Sequence, residues 1–256
     1  MKITATVITL NEEANIGGCL ESLEFADEIV VVDSGSTDRT AEICRAHPKV
    51  HFHQLPWEGF GRQKNLAGSL ALHDWILNVD ADERVSPELR ASVLGAELTS
   101  HHCFRMAREN YFGRRWIRRC GWYPDYTTRL YDRRQAGFSA RAVHESVVCQ
   151  GSVGTLQGRL VHYSYQGIAD YLRRMDRYST LAAQELAKSR KSPSLAKLLY
   201  KPVFTFLKMY LLKLGLLEGY TGLLLSLLYA QYTFCKYAKA RELMACDPDN
   251  LSRSDP

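Results

Sequence analysis

The sequence has no CxxC pair: its seven cysteines stand at positions 19, 44, 103, 120, 149, 235 and 246. That spacing speaks against a structural zinc site. The odd count and wide scatter also speak against a disulfide framework, so the chain reads as one kept in a reducing compartment, the cytoplasm. No GxGxxG or P-loop run follows the first strand-like segment, which weighs against NAD binding and ATP hydrolysis. The start, MKITATVITLNEE, lacks the apolar run and cleavage site of a signal peptide. A membrane span needs about 20 mostly apolar residues. The nearest approach, Leu211 to Ala230, is interrupted by Lys213, Glu218 and glycines, and reads as a surface or interface helix. There is no internal repeat and no low-complexity tract.

What is present suits a packed α/β protein. The 256 residues are 46% apolar and 24% charged. The net charge of +5 fits an anionic substrate or a membrane surface better than a dedicated nucleic-acid binder. Strand-like and helix-like segments alternate through the first third. Ile3–Leu10, Glu28–Val32, Val50–Leu55 and Trp75–Val79 predict strands. Asn11 to about Phe25, Ser36 to about His47, and Gln63–Leu72 predict helices between them. This order predicts a mostly parallel central sheet with helices on both faces. Past Pro87 a helix to about Leu98 is followed by shorter strand-like runs at Cys103–Arg108, Thr127–Tyr131, His144–Val148 and Arg159–Tyr163. From Ile168 the spacing is helical, with later helices over about 195–213 and 219–242. The organisation expected is a catalytic domain over 1–165, with a donor half to 98 and an acceptor half from 99. A helical region over 166–245 and a flexible tail from 246 follow.

In open α/β sheets ligands bind beyond the carboxyl ends of the strands. Three polar clusters fall there: Asn11–Glu12–Glu13, Asp33–Ser34–Gly35–Ser36, and Asp80–Ala81–Asp82–Glu83. Asp80 and Asp82, one residue apart after a buried strand, can hold Mg²⁺ or Mn²⁺ and leave room for phosphate oxygens. Such acids also suit a helix start. Asp33 can accept from a base N–H or a ribose hydroxyl, and the Ser-Gly-Ser turn lets backbone approach a ligand. Ser36 or Thr37 can equally cap a helix. Gly59–Asn65 (GFGRQKN) places Arg62 and Lys64 near a helix N-terminus, a setting for phosphate or simply a solvated basic start.

The ordered run ITLNEE, VVDSGSTDRT, GRQKNLA and ILNVDADE resembles family 2 glycosyltransferases of GT-A (Rossmann-like) fold. GWYPDYTTRLYDR, AVHESV, LVHYSY and YTGLL are similar to the lipopolysaccharide-core glucosyltransferases of the WaaE/KdtX-like branch. The resemblance implies an inverting single displacement from a nucleotide diphosphate sugar, UDP-glucose by that branch, to a lipid-linked saccharide core. It implies a nucleotide-sugar set of Thr9, Leu10, Asn11, Glu13, Asp33, Gly35, Ser36, Arg62, Lys64, Asn65, Asp80, Ala81 and Asp82. Asp33 would meet the base, Glu13 the ribose, and Asp80 and Asp82 the ribose, diphosphate and divalent metal.

A carboxylate base is needed at the acceptor. The Glu-Asp motif of many family members is absent, and His144–Glu145 takes its place; Glu145 is the first candidate and Asp125 the second. A salt bridge from Glu145 to Arg129 or Arg141 is the plainer reading. His144 and His162 are candidate metal ligands or phosphate donors, although a single histidine is more often structural. Arg114, Arg115, Trp122 and Arg129 could grip an anionic acceptor. Lys197, Lys201, Lys208, Lys213 and Lys236 lie among Leu, Phe and Tyr, a pattern that suits a membrane interface, an oligomer contact or packing on the domain. A polyprenyl-phosphate sugar synthase would share the donor site, and a non-catalytic membrane-surface scaffold would not use it. A sugar nucleotidyltransferase would need a glycine-rich basic loop where this chain reads NEEANIGG.

Overall fold

The computed structural model describes residues 2–139, 146–188 and 192–245. Its elements run β1 (Ile3–Thr9), α1 (Ile16–Ser22), β2 (Glu28–Asp33), α2 (Thr40–Ala46), β3 (Val50–Gln54), α3 (Phe60–Ser69), β4 (Trp75–Asn78) and β5 (Glu83–Val85). Then come α4 (Pro87–Leu94), β6 (Cys103–Phe112), β7 (Arg115–Trp116), β8 (Asp125–Asp132), β9 (Ala136–Phe138), β10 (Val147–Cys149) and β11 (Val153–Tyr165). The chain ends in α5 (Ile168–Lys188), α6 (Leu195–Leu207), a π turn at Lys208–Leu212, a 3₁₀ turn at Gly215–Glu218, and α7 (Tyr220–Ala245). The chain divides into two compact units, one of Met1–Asn110 with Pro124–Ser164, the other of Tyr111–Tyr123 with Tyr165–Pro256.

The first unit is α/β. The strand order is β3-β2-β1-β4-β8-β6-β11-β5. Strands β3, β2, β1 and β4 are parallel, as the alternation predicts. Beyond β4 the sheet is mixed, because β8 pairs antiparallel with both β4 and β6, and β11 antiparallel with β5. Every residue of β1 and β2 is buried. A strand covered on both faces needs no alternation, so EIVVV reads as a continuous apolar run. Ile3, Val7, Ile29, Val31, Leu77, Leu130 and Leu160 belong to one core cluster with Leu20 and Leu23.

Two expected helices are shorter than their patterns. The segment after β1 becomes helical only at Ile16, because Asn11 takes a left-handed φ of 55° and the carbonyl of Glu12 closes a turn on Asn15 and Ile16. Asparagine tolerates that conformation better than most residues. The helix after β2 begins at Thr40, where Asp38 Oδ1 accepts from the Thr40 N–H at 3.0 Å. Helix α4 starts on a Ser86 cap, whose hydroxyl accepts from Leu89 N at 3.2 Å, and stops before Gly95.

The cysteine expectation is corrected. Cys103 and Cys149 form a disulfide across 46 residues, with Cα atoms 6.4 Å apart. The β9–β10 hairpin brings position 149 back beside the start of β6, a proximity that spacing along the chain does not report. Cys19, Cys44, Cys120 and Cys235 are free thiols. Among the described residues no helix is long and apolar enough to cross a membrane.

The second unit is mainly helical. β7 turns back on the end of β6 about Gly113, pairing Tyr111 with Trp116 and Phe112 with Arg115. Ile117, Cys120 and Trp122 pack with Tyr171, Met175, Met209, Leu225 and Leu228. The YTGLL motif has a steric reason. A Cβ on Gly222 would fall 1.8 Å from the Gly215 carbonyl oxygen, so only glycine lets the first turn of α7 lie against that backbone.

Candidate functional site

The parallel register sets Thr9 opposite Asp33 and Thr6 opposite Asn78, so the ends of β1, β2 and β4 share one edge of the sheet. The first two loops there are laced together. Asn11 N donates to Ser36 Oγ at 2.8 Å, and Thr37 N donates to Asn11 Oδ1 at 2.8 Å. Glu13 N donates to Asp38 Oδ2 at 3.1 Å, while Glu13 Oε2 accepts from Arg39 N at 3.0 Å. Asp33 is 1% exposed, and its carboxylate accepts from Gly35 N and Ser36 N, each at 2.9 Å, and from the Ser36 hydroxyl. It therefore holds the Ser-Gly-Ser turn in shape, with Gly35 at a φ of 97°. Leu10, Asn11, Glu13 and Thr37 are exposed on this edge, whereas Thr9 is buried.

The third cluster is electrostatic. Asp80 Oδ1 lies 2.9 Å from Lys64 Nζ, and Asp80 Oδ2 accepts from Arg129. Arg129 also donates to Asn78 Oδ1 at 2.9 Å and to Glu83 Oε1 at 2.8 Å. Glu83 is fully buried, and its other oxygen accepts from the Asp80 N–H at 2.9 Å. Burial works to raise the Asp80 pKa, but the charges of Arg129 and Lys64 overcome it and hold the carboxyl well below the usual range. Burial likewise opposes the Arg129 charge, and Asp80 and Glu83 more than restore it.

These contacts show where three of the expected site residues lie. Arg129 is 3% exposed and lies among Asn78, Asp80 and Glu83, so it does not reach an acceptor. Lys64 is 3% exposed and faces Asp80 instead of an open phosphate site. Asn65 clasps the backbone of Phe138, donating to its carbonyl at 2.9 Å and accepting from its N–H at 2.8 Å. Arg62, by contrast, is exposed in the first turn of α3.

Asp82 has different neighbours. The antiparallel pairing of β5 with β11 sets His162 opposite Glu83, and Tyr163 N donates to the Asp82 carbonyl at 3.0 Å. His162 Nε2 then stands 3.6 Å from Asp82 Oδ2. On its other side His162 Nδ1 is 2.6 Å from Asn110 Oδ1 and 3.0 Å from Ser164 Oγ. Burial works to lower the His162 pKa, but Asp82, and then Glu83, raise it above the ordinary value. Asn110 continues the chain of contacts, donating from Nδ2 to Asp125 Oδ2 at 2.9 Å. The same oxygen takes Arg108 Nε at 2.9 Å and lies 2.8 Å from Arg108 NH2.

A carboxylate beside an imidazole whose far nitrogen faces a fixed acceptor is a mixed oxygen–nitrogen donor pair, which suits Mn²⁺ better than the oxygen-preferring Mg²⁺. Among the described residues there is no cluster of three or more such side chains, so the remaining positions would fall to phosphate oxygens and water. His144 and Glu145 lie outside the described residues.

The order of these motifs along the chain matches a known family model. Residues 4–152 match the model of glycosyl transferase family 2. The chain belongs to glycosyl transferase family 2. It is 33% identical over 253 residues to the lipopolysaccharide core biosynthesis glycosyltransferase LpsC of Rhizobium meliloti, covering 93% of this chain and 92% of that one. It is 32% identical over 268 residues to an uncharacterized glycosyltransferase of Rickettsia bellii, covering 98% and 90%. Among solved structures, S. aureus TarS 1-349 in complex with UDP-GlcNAc aligns over 94% of this chain and 91% of that chain, at 17% identity and a TM-score of 0.49.

In this family 2 chain the sheet edge described above carries Asp80 and Asp82 with unlike tasks. Asp80 is neutralised by two buried cations, while Asp82 faces the His162 imidazole. Sequence reasoning missed Asn78, Arg108 and Asn110, and named Glu83 only as part of the third polar cluster, with no role of its own; these four position the others. The one available signal was Glu83, three residues after Asp80, in ILNVDADE. In the second unit, Trp122 is 8% exposed in an aromatic cluster with Tyr165 and Tyr229, which corrects its assignment to the acceptor. Arg115 lies 3.0 Å from Glu218, and Arg114 is exposed.

Proposed function

We propose that this family 2 glycosyltransferase moves a sugar from a nucleotide diphosphate to a hydroxyl of a lipopolysaccharide-core-type saccharide, by inversion and with a divalent metal. The observation that carries the reading is the pairing of Asp82 with His162 at the edge where the β1 and β2 loops are laced together. UDP-glucose is the donor that the sequence resemblance names. The likeness to a core biosynthesis enzyme over nearly the whole chain supports the acceptor class.

The chemistry is one displacement. The acceptor oxygen bonds to the anomeric carbon, the bond from that carbon to the diphosphate oxygen breaks, and a carboxylate takes the hydroxyl proton. Asp82 and His162 would hold the divalent cation, which when bound would supply positive charge for the departing diphosphate. Lys64 and Arg129 fix Asp80 in its ionised form, ready to accept from a donor hydroxyl. Glu13, exposed in the first loop, is the ribose contact, and Arg62 is the phosphate contact. Asp125 Oδ2 is taken up by three donors from Arg108 and Asn110, so we assign Asp125 to positioning and the base to Glu145. Glu145→Gln then lowers kcat by about 10²–10⁴, while Asp125→Asn raises KM more than it lowers kcat. The reverse ranking overturns the assignment.

The deciding experiment is calorimetry of nucleotide diphosphates and their sugars, with and without Mn²⁺, on wild type and Asp82→Ala. Metal-dependent UDP binding that the substitution abolishes supports the reading. Absence of nucleotide binding under every condition defeats it and favours a scaffold. A polyprenyl phosphate that outcompetes core saccharide as acceptor moves the reading to the synthase.

A further inference from the structure

Helix α6, in the second unit, buries none of its residues. Its apolar side chains face outward: Leu195, Leu199, Tyr200, Val203, Phe204 and Leu207 are 43–70% exposed. At about 100° per residue they share one half of the helix circumference. Thr205 meets Thr233 of α7 at 3.2 Å on the other side. The π turn prolongs the exposed row with Leu211 and Leu212, which are 48% and 73% exposed. Leu198 and Pro202, on the side of Thr205, are half-buried, so the helix is apolar on its inner side and apolar again on its exposed half. A contiguous apolar patch of that kind marks an interaction site.

The charge around the patch points to its occupant. From Leu186 to Leu217 the chain has no Asp or Glu, and it carries Lys188, Arg190, Lys191, Lys197, Lys201, Lys208 and Lys213. On the helical wheel Lys197, Lys201 and Lys208 fall along one border of the apolar half. Lys236 of α7 lies among them: burial, then the like charges of Lys197 and Lys201, push its pKa down. The ammonium groups of Lys197 and Lys236 sit 5.2 and 4.9 Å from the Tyr237 ring centroid. No carboxylate among the described residues pairs with any of these four lysines. Like charges held together without a counterion are suited to anions. A second copy of the chain would set lysines against lysines, which costs free energy. An anionic leaflet offers both apolar depth and a plane of phosphates.

We propose that α6 and the turn after it dock on the surface of an anionic bilayer, with Leu199, Val203 and Phe204 at the acyl boundary and Lys197, Lys201, Lys208 and Lys236 against lipid phosphates. The face belongs to the second unit alone and does not depend on the donor-site reading.

The test is flotation of the full chain with vesicles of phosphatidylcholine alone or with phosphatidylglycerol added. The chain is expected to float with the anionic vesicles, less so as salt rises, and to stay below with phosphatidylcholine. Leu199→Glu/Phe204→Glu abolishes flotation, and Lys201→Gln and Lys208→Gln each weaken it about fivefold. All these positions are exposed or half-buried, and an unchanged thermal melt shows that the variants fold. Equal flotation with both vesicles, or none with either, overturns the proposal. So does a dimer in sedimentation that Leu199→Glu dissociates, which makes the face a contact between copies.

Discussion

His162 Nε2 stands 3.6 Å from Asp82 Oδ2 because β11 pairs with β5 in a register that sets His162 opposite Glu83. The separation is thus fixed by backbone hydrogen bonds as well as by the two side chains. His162→Ala should weaken nucleotide diphosphate binding in Mn²⁺ by more than the roughly 10- to 100-fold that loss of an outer partner costs. Metal-free binding should change little. Asn110→Ala, which removes the acceptor facing Nδ1, should fall within that range. Calorimetry at matched metal concentrations checks both, and an equal loss without metal would sink the ligand assignment.

Arg129 neutralises Asp80 and Glu83 inside the sheet. Arg129→Met keeps most of the volume, leaves Asp80 to Lys64 alone and leaves buried Glu83 with only the Arg108 guanidinium, 3.7 Å away. The expected cost is about 3–5 kcal/mol, read from urea unfolding. A loss under about 1 kcal/mol would mean that water already screens the cluster.

Acid should weaken the fold through carboxylates held charged. Hydrogen bonds from the Arg134 side chain and backbone hold Asp132 below its ordinary pKa against burial. Its folded value is lowered, so its contribution is complete above the unfolded value of about 3.9. That contribution is lost as the pH falls through the folded value. Urea midpoints measured below about pH 4 should fall less steeply in Asp132→Asn than in wild type. Parallel curves would refute the linkage.

Gly222 admits no side chain, since a Cβ would meet the Gly215 carbonyl oxygen at 1.8 Å. Gly222→Ala must shift backbone, at an expected cost of about 1–3 kcal/mol. Gly35 faces open space yet has a φ of 97°, so Gly35→Ala strains the turn beside Asp33 instead. Thermal melts should show the Gly222 variant destabilised with nucleotide binding intact. The Gly35 variant should show weaker nucleotide binding.

The disulfide is open to a direct count. Unfolded without reductant, the chain should titrate five thiols, because two of its seven cysteines are bonded. Reduction should lower stability by about 4 kcal/mol on the chain-entropy view of a loop this long. Seven free thiols would show that Cys103 and Cys149 stay reduced in solution.

The sequence by itself determined the parallel half of the sheet and the edge where the polar clusters meet. Fully buried strands leave continuous apolar runs, and a parallel sheet must place its strand ends together, so EIVVVD and WILNVD were legible. The motif order also carried the family. Local patterning has no access to pairings between distant segments, and those decided the rest. The antiparallel half depends on which strand lies beside which, and β5, β7 and β9 are too short to leave a pattern. Tertiary packing turned Arg129 and Lys64 inward and tied the exposed Asn65 to the Phe138 backbone, although arginine, lysine and asparagine read locally as ligand-facing groups. It brought Cys149 to Cys103 and His162 to Asp82. It also separated the two aspartates of one motif, because Asp80 points at two buried cations and Asp82 at the His162 imidazole. One residue of spacing cannot state that difference, since it is made by side chains arriving from α3, β8 and β11.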